Sequence, residues 1–390
     1  MYKNIYLKRG KEESLKRFHP WVFSGAIHHA DEGISEGDIV RVVASDGQHM
    51  AIGHFQLGSI AVRVLSFRDV EIDSGFWHAR LTSALLMRIA LGVADRSSNN
   101  TYRLVHGEGD LLPGLIIDIY GETAVMQAHS IGMHMVRKQI ADCLLDVMDG
   151  RIRHIYYKSE TTLPYMEPEN GFLIGDNHEN TAMENGLLFH VDWLKGQKTG
   201  FFIDQRDNRQ LLEQYAKGKS VLNMFCYTGG FSVYAMRGEA RLVHSVDSSA
   251  KAIELTRRNV ELNFANDERH EAFCEDAFKY LEKMDSRYDL VILDPPAFAK
   301  HRGALHNALK GYTRLNMKAF EKLPKGGILF TFSCSQVVTK DHFRNAVFTA
   351  AAMAGRKVRI LHQLHQPADH PINIYHPEGE YLKGLVLYVE

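Results

Sequence analysis

Three hydrophobic patterns follow one another along the 390 residues. In the first, apolar and polar residues alternate over short runs: DIVRVVA (38–44), MAIGHF (50–55) and IAVRVLSF (60–67). A period of two turns one side of each run toward a core. Glu36-Gly37-Asp38 and Asp46-Gly47 punctuate the runs as turns. Short strands spaced by such residues predict a small β-barrel over 1–72. In the second pattern, over 73–190, helical spacing appears in FWHARLTSALLMRIAL (76–91) and HMVRKQIADCLLDVM (134–148). Between them, LPGLIIDIYGETAVMQAH (112–129) reads as two strands about a Tyr120-Gly121 turn, so this region is a mixed α/β domain. Cys143 falls on the apolar side of the second helix and reads as core.

From about 187 the period changes again, and strand runs alternate with helical ones. The predicted strands are VLNMFC (221–226), LVHSVD (242–247), EAFCED (271–276), YDLVILD (288–294), GILFTFS (327–333), KVRILHQL (357–364) and KGLVLYV (383–389). Helical patterns separate the first six. This alternation predicts a doubly wound, mainly parallel seven-stranded α/β sheet over 191–390. Ligands bind such sheets at the carboxyl ends of their strands, which makes the residue after each strand the informative one.

After the first strand comes FCYTGGFSVYA (225–235), where Gly229 and Gly230 let backbone approach a ligand just before a helix. A tight turn that needs glycine is the plainer reading of the same residues. Asp247 ends the second strand, where a carboxylate can hold two ribose hydroxyls. Asp276 ends the third, followed by Ala277 and Phe278, and suits an adenine amino group and ring. A nicotinamide dinucleotide and S-adenosylmethionine both fit this much. The dinucleotide fingerprint GxGxxG is absent. The fourth strand ends in Asp294-Pro295-Pro296-Ala297-Phe298. Two prolines there terminate the ladder and fix a rigid, extended turn. A methyltransferase needs such a turn to hold a flipped base edge-on beside the methyl donor, and a dehydrogenase does not.

Composition narrows the classes. The chain is 45% hydrophobic and 24% charged with a formal net charge of −1, so it is not a basic nucleic-acid coat, although local patches can still meet RNA. One such patch is the first twenty residues, where Lys3, Lys8, Arg9, Lys11, Lys16 and Arg17 oppose only Glu12 and Glu13. A solvated arm is the ordinary reading. HPWVFSG (19–25) follows directly, and basic groups beside aromatics such as Trp21 suit RNA phosphates and splayed bases. The opening MYKNIYLKRGKEE holds no apolar signal region and no run reaches membrane-spanning length, so a cytoplasmic protein without a membrane partner is expected. The four cysteines, Cys143, Cys226, Cys274 and Cys334, form no CxxC pair and read as free thiols. His362, His365, His370 and His376 come nearest to a metal patch, but no cysteine or paired carboxylate completes it, and no metal is expected.

Several separate stretches together resemble one family. They are HPWVFSGAI (19–27), RLVHGEGDLLPGLIIDIYG (103–121), GQKTGFFIDQRDNR (196–209), NMFCYTGGFSV (223–233), LDPPAF (293–298), FSCS (332–335) and ADHPINIYHPEGEYLKG (368–384). The last two hundred residues resemble class I S-adenosylmethionine-dependent methyltransferases. The whole chain is similar to the bacterial ribosomal RNA large subunit methyltransferase I family, which forms 5-methylcytosine in 23S ribosomal RNA. The resemblance implies an N-terminal PUA-type RNA-binding barrel, a middle α/β domain and a catalytic domain. It implies S-adenosylmethionine as cofactor, held by Phe225, Tyr227, Thr228, Gly229, Gly230, Asp247, Asp276, Ala277 and Asp294, with Gln205 and Arg206 over it. Lys8, Arg9, Lys11, Trp21, Lys198, Lys300 and Arg302 are the expected RNA contacts. The partners are 23S ribosomal RNA or a precursor of the large subunit, with a second copy of the chain as a further candidate. LPYMEPENGFLIGDN (163–177) lacks the family's basic run followed by Glu-Gly, so no RNA contact is carried over from it.

The resemblance assigns Cys334 as nucleophile, and the chemistry agrees. Cytosine C5 is too weak a nucleophile to take a methyl group unaided, and a thiolate added at C6 activates it. A free thiol with a pKa of about 8.5 is only a few per cent ionised at neutral pH. A polar strand tip lowers that pKa better than an apolar core. Cys226 and Cys274 read as wall or core, and Ala297 stands where related enzymes carry a second cysteine. Asp294 is placed at the N3/N4 edge of the base. Two rival readings stay open at this point: an amino-group methyltransferase acting at guanine N2, which needs no thiol, and a non-catalytic RNA-binding assembly factor.

Overall fold

The computed structural model describes every residue except Met1 and Arg96. The chain packs into two compact units. The first comprises the residues up to Gly186 together with 191–203 and 368–379, and the second comprises 187–190, 204–367 and 380–390.

The first unit opens with β1 (Lys3–Leu7), α1 (Glu13–Lys16), β2 (Trp21–Phe23), β3 (Ile27–Ala30), β4 (Ile39–Val43), β5 (His49–Phe55) and β6 (Ile60–Ser66). These strands form one six-stranded sheet in the order β2-β6-β5-β4-β1-β3. The alternating runs bury Val40, Val42, Ala51, Val62 and Val64 against Ile5, Leu7 and Leu15. The first residues are therefore more than the solvated arm expected. β1 runs parallel to β4 and antiparallel to β3, and only after it does the chain turn out into solvent with Lys8, Arg9 and Lys11.

The same unit continues with α2 (Ser74–Ala90), β7 (Thr101–His106), β8 (Leu115–Tyr120), β9 (Thr123–Ala128), α3 (Ile131–Met135), α4 (Arg137–Met148), β10 (His154–Tyr157), β11 (Gly171–Ile174) and β12 (Thr181–Glu184). β11-β10-β9-β8-β7 form a five-stranded sheet. The Asp73 carboxylate accepts the Phe76 N–H at 2.9 Å and so starts α2. Trp77, Leu81 and Leu85 of that helix pack with Ile140 and Leu144 of α4 on Ile117 of the sheet. The single helix expected over 134–148 is two helices, parted at Val136. Gly132 lets α3 lie on the barrel, since a Cβ there would sit 2.2 Å from the His54 ring.

Buried charge ties the segments 191–203 and 368–379 to this domain. Arg88, fully buried, pairs with Asp110 and donates to the carbonyls of Arg103 and Asp369, both at 2.8 Å. Arg103 grips Asp118 through two bonds of 2.7 and 2.9 Å, and its backbone N–H reaches the Asp369 carboxylate at 3.0 Å. Thr199 donates to Asp118 at 2.6 Å. Each buried carboxylate thus meets several donors, as burial of charge requires.

The second unit holds β13 (Leu187–His190), α5 (Arg206–Ala216), β14 (Ser220–Met224), α6 (Gly230–Arg237), β15 (Leu242–Asp247), α7 (Ala250–Asn263), β16 (His270–Cys274), α8 (Ala277–Lys283), β17 (Leu290–Leu293), α9 (Leu305–Lys322), β18 (Gly327–Ser333), α10 (Lys340–Met353), β19 (Val358–His365) and β20 (Lys383–Val389). All seven strands expected are present. They form one sheet in the order β16-β15-β14-β17-β18-β20-β19, in which only β20 runs against the others. The order reverses between β14 and β17, and this opens the crevice at their carboxyl ends. Among the described residues no helix is long and apolar enough to cross a membrane.

Burial lowers the pKa of His54 to about 4, with the Arg63 guanidinium adding to the shift, and burial does the same to His129 and His270. In the unfolded chain these rings titrate near 6.5, so between about 4 and 6.5 the unfolded state binds more protons. Stability is expected to be full above pH 6.5 and to fall as the pH drops toward 4. Thermal melts at half-unit pH steps check this. The decline should begin near pH 6.5, above the range in which ordinary carboxylates titrate.

Candidate active site

The site is built on the carboxyl ends of β14, β15, β17 and β18. After β14 the backbone of Phe225, Tyr227 and Gly229 takes positive φ values of 59°, 47° and 77°. Left-handed conformations at two aromatic residues are costly and persist only where the surroundings enforce them. The enforcement is visible. Asp247 Oδ2 accepts the Tyr227 N–H at 3.0 Å, and Thr256 and Asn259 of α7 donate to the carbonyls of Tyr227 and Thr228, both at 2.8 Å. A Cβ on Gly229 would stand 2.7 Å from Thr256 Cγ2, and one on Gly230 would stand 3.0 Å from Arg209 Cδ. The glycines thus serve close packing on α7 and α5 as well as an open loop.

Asp247 is half-buried, and its other oxygen accepts the Ser249 N–H at 2.9 Å. A carboxylate offers about four lone-pair sites, so each oxygen keeps one for a hydroxyl while the two backbone bonds hold it in place. Asp276 is exposed and caps α8 by accepting the Lys279 N–H, with buried Ala277 beside it. Phe278, expected near an adenine ring, turns its face to Arg314 at 5.0 Å. Cys226 is buried with Ile253 and Ala272, and burial pushes its thiol up to about 12. Cys274, expected as wall or core, is exposed.

Asp294 and Cys334 leave neighbouring parallel strands, β17 and β18, and the turn brings them together. Cys334 Sγ lies 4.0 Å from the Pro295 carbonyl oxygen. From Thr331 to Ser335 only Cys334 is not fully buried. Its two flanking serines brace it. Ser333 donates to the Tyr312 hydroxyl at 2.9 Å, and Ser335 donates to the Ala299 carbonyl beyond the proline turn. Phe298 packs at 4.6 Å on Tyr312 and against Gly311, so it supports the turn from below. Gln205 donates to Asp294 Oδ2 at 3.1 Å and accepts from Asn208 at 2.6 Å. The stretch from Asp204 to Arg206 is buried, where its composition suggests a solvated helix start.

Lys383 of β20 pairs in register with Ser333, the residue before the thiol. It is buried, and its ammonium donates to the carbonyls of Ser335 and Val338, both at 2.6 Å. Burial lowers its pKa to about 8, opposed by Cys334 and Glu380. Tyr312 is pushed up to about 12, chiefly by burial. Sequence reasoning missed Lys383, Tyr312 and the serine braces. The run KGLVLYV shows only a strand, and the pairing of Lys383 with Ser333 appears only in the sheet register.

The expected RNA contacts are dispersed. Lys300 and Arg302 are exposed between β17 and α9. Lys8, Arg9 and Lys11 are exposed on the barrel, where Lys8 donates to the Gly25 carbonyl. Trp21 is half-buried, its indole N–H bonded to Glu108 at 2.8 Å and its ring 4.3 Å from that of His376. Lys198 belongs to the first unit and stands 4.6 Å over the Phe202 ring. His370 and His376 lie in the first unit and His362 and His365 in the second, and among the described residues no group of three or more ligands is arranged for a metal.

Residues 164–376 match the model of S-adenosylmethionine-dependent methyltransferases, and residues 5–67 match that of PUA-like domains. Across its length the chain is 40% identical to the ribosomal RNA large subunit methyltransferase I of Aeromonas hydrophila, covering 99% of both chains. It is 37% identical to that of Klebsiella pneumoniae, covering 100% of this chain and 99% of the other. In fold it is similar to a Streptococcus mutans chain provisionally assigned as an S-adenosylmethionine-dependent methyltransferase, with a TM-score of 0.84 at 22% identity over 98% of this chain and 99% of that one. A provisionally assigned methyltransferase complexed with SAH gives 0.85 at 22% identity over the same shares.

Gly229→Ala is expected to keep the fold but to destabilise it by about 1–2 kcal/mol, from the positive φ and the Thr256 contact. Chemical denaturation of the two proteins checks this.

Proposed function

From a chain that belongs to the ribosomal RNA large subunit methyltransferase I family of S-adenosylmethionine-dependent enzymes, we propose that the product is 5-methylcytosine in 23S ribosomal RNA, formed through a covalent adduct with Cys334. The single observation that carries this reading is the partly buried Cys334 held beside the Asp294-Pro295 turn by two buried serines.

The residues at the strand ends fit S-adenosylmethionine. The Phe225–Gly230 loop is held in its left-handed turns by Asp247, Thr256 and Asn259, and Asp247 keeps acceptor sites for ribose hydroxyls. Asp276 has an oxygen for the adenine amino group, beside Ala277. Gln205 orients Asp294, and Arg206 lies buried next to it. Bound there, the cofactor supplies an electrophilic methyl group on a sulfonium.

Asp294 accepts from the cytosine amino group and sets the ring edge-on against Cys334. The thiolate forms a bond to C6, and the ring's electron pair moves to C5, where it would take the methyl group as the methyl–sulfur bond breaks and its electron pair stays on the donor sulfur. A base removes the C5 proton, the pair re-forms the ring double bond, and the C6–S bond breaks to return the thiolate. Phe298 supports the choice of base: it packs on Tyr312 and Gly311, and Ala297, not an aromatic, directly follows Asp294-Pro295-Pro296. Lys300 and Arg302 are proposed to hold target phosphates near the site, and Lys8, Arg9 and Lys11 to hold RNA on the barrel. The reading also keeps a three-part division at about residues 72 and 190 and a cytoplasmic location.

Incubation with radiolabelled S-adenosylmethionine and undermethylated ribosomal RNA, followed by nucleoside analysis, should place the label in 5-methylcytidine. Label in a methylated guanosine overturns the reading. Cys334→Ala should lower turnover by at least about a thousandfold while leaving cofactor affinity unchanged by calorimetry. Asp247→Ala should do the reverse, weakening cofactor binding by about tenfold or more through loss of hydroxyl acceptors and of the Tyr227 N–H bond.

A further inference from the structure

One buried cation is left without a role by the reaction just derived. Lys383 lies on β20 opposite Ser333, next in sequence to Cys334, and is only 5% exposed. Burying an ammonium is costly unless its donors are met and a countercharge is near. Two of its three N–H donors are met by the Ser335 and Val338 carbonyls, which flank the loop immediately after the thiol. Neutral carbonyls satisfy hydrogen bonds but supply no negative charge. The acid nearest in sequence, Glu380, is already paired with Lys340 of α10 at 2.5 Å. The other negative group acting on Lys383 is the sulfur of Cys334.

We propose that Lys383 is a positioning residue for the Cys334 thiolate: its buried ammonium clamps the loop after the nucleophile and supplies the countercharge that keeps the sulfur ionised. The inference deepens the covalent reading and rests on it for its catalytic meaning. The groups facing this pair are Glu380 and Lys340 around Lys383, with Asp294 and Tyr312 beyond the sulfur. Tyr312 is held neutral by burial, Glu380 and Lys340 offset one another, and the Asp294 carboxylate opposes ionisation of the sulfur, so Lys383 is the positive charge that favours the thiolate. The pull of Cys334 on the lysine's own protonation accords with this placement. A thiolate so held has a larger reactive fraction at neutral pH than a free cysteine.

The test is the pH dependence of iodoacetamide alkylation at Cys334, followed site by site by peptide mass spectrometry so that exposed Cys274 does not interfere. It uses the full chain without RNA, so it reads the thiol whichever base is methylated. The reading under "Proposed function" can therefore fail in the nucleoside analysis while this inference stands, and the converse also holds. In the wild type the alkylation midpoint is expected below the ordinary thiol value of about 8.5, and a midpoint at or above it overturns the inference. Lys383→Gln keeps an N–H donor for the carbonyls and removes the charge. It is expected to raise the midpoint by about one unit and to slow alkylation at pH 7 about tenfold. A folded Lys383→Gln protein with the wild-type midpoint also overturns the inference, since a purely structural clamp does not move the thiol's titration. Should that variant not fold, the wild-type midpoint decides.

Discussion

Everything at the active site depends on Ser220–Met224 and Leu290–Leu293 lying side by side and parallel in one sheet. Their connections leave toward opposite sides, because the strand order reverses there. Such a reversal opens a crevice at the carboxyl ends of the two strands. The strained Phe225–Gly229 loop comes from one side of it and the Asp294-Pro295-Pro296 turn from the other. Sheet hydrogen bonding therefore sets the spacing between that loop and that turn before any side chain is considered.

The thiol depends on that frame in a second way. A cysteine on a mobile loop would lose positional precision, and one inside the sheet would be inert. Here a strand ends, and each neighbour of Cys334 is tied to a different element: Ser333 to α9 through Tyr312, Ser335 to the proline turn, and the following carbonyls to Lys383 of β20. Cys334 itself is only partly buried among these anchors. Hydrogen bonds to its neighbours thus fix the backbone that carries the thiol. The first unit uses the same economy of polar contacts structurally. Arg88 and Arg103 with Asp110, Asp118 and Asp369 make a buried network that anchors two segments remote in sequence.

Much of the frame was legible along the chain. The inner parallel strands of the second unit, Ser220–Met224, Leu290–Leu293 and Gly327–Ser333, appear as largely apolar runs because strands covered on both faces must be so, whereas the edge strands His270–Cys274 and Val358–His365 keep exposed residues. Asp247, Asp276, Asp294 and Cys334 stand out as polar residues that end such runs. The barrel strands Lys3–Leu7, Trp21–Phe23 and Ile27–Ala30 were not legible. They are short, and their stability comes from partners far along the chain, so local periodicity carries little of their signal. The break at Val136 was missed for a similar reason: Gly132 meets His54 of the barrel, a contact invisible to helical spacing.

By itself the sequence determined the alternation that forces a doubly wound sheet, the residues at each strand end and the presence of a thiol where a core residue would be expected. Those follow from local rules of period, turn chemistry and side-chain reactivity. The tertiary structure alone decided which strand ends are neighbours, that Phe278 faces Arg314, and that Trp21 bonds to Glu108. It also decided that Lys383 pairs with Ser333, before the thiol in the chain, and donates to the carbonyls of Ser335 and Val338, after it. That pairing comes from the antiparallel register of β18 and β20, and register is a property of two strands together. No pattern within either strand specifies which lysine will stand next to the end of β18.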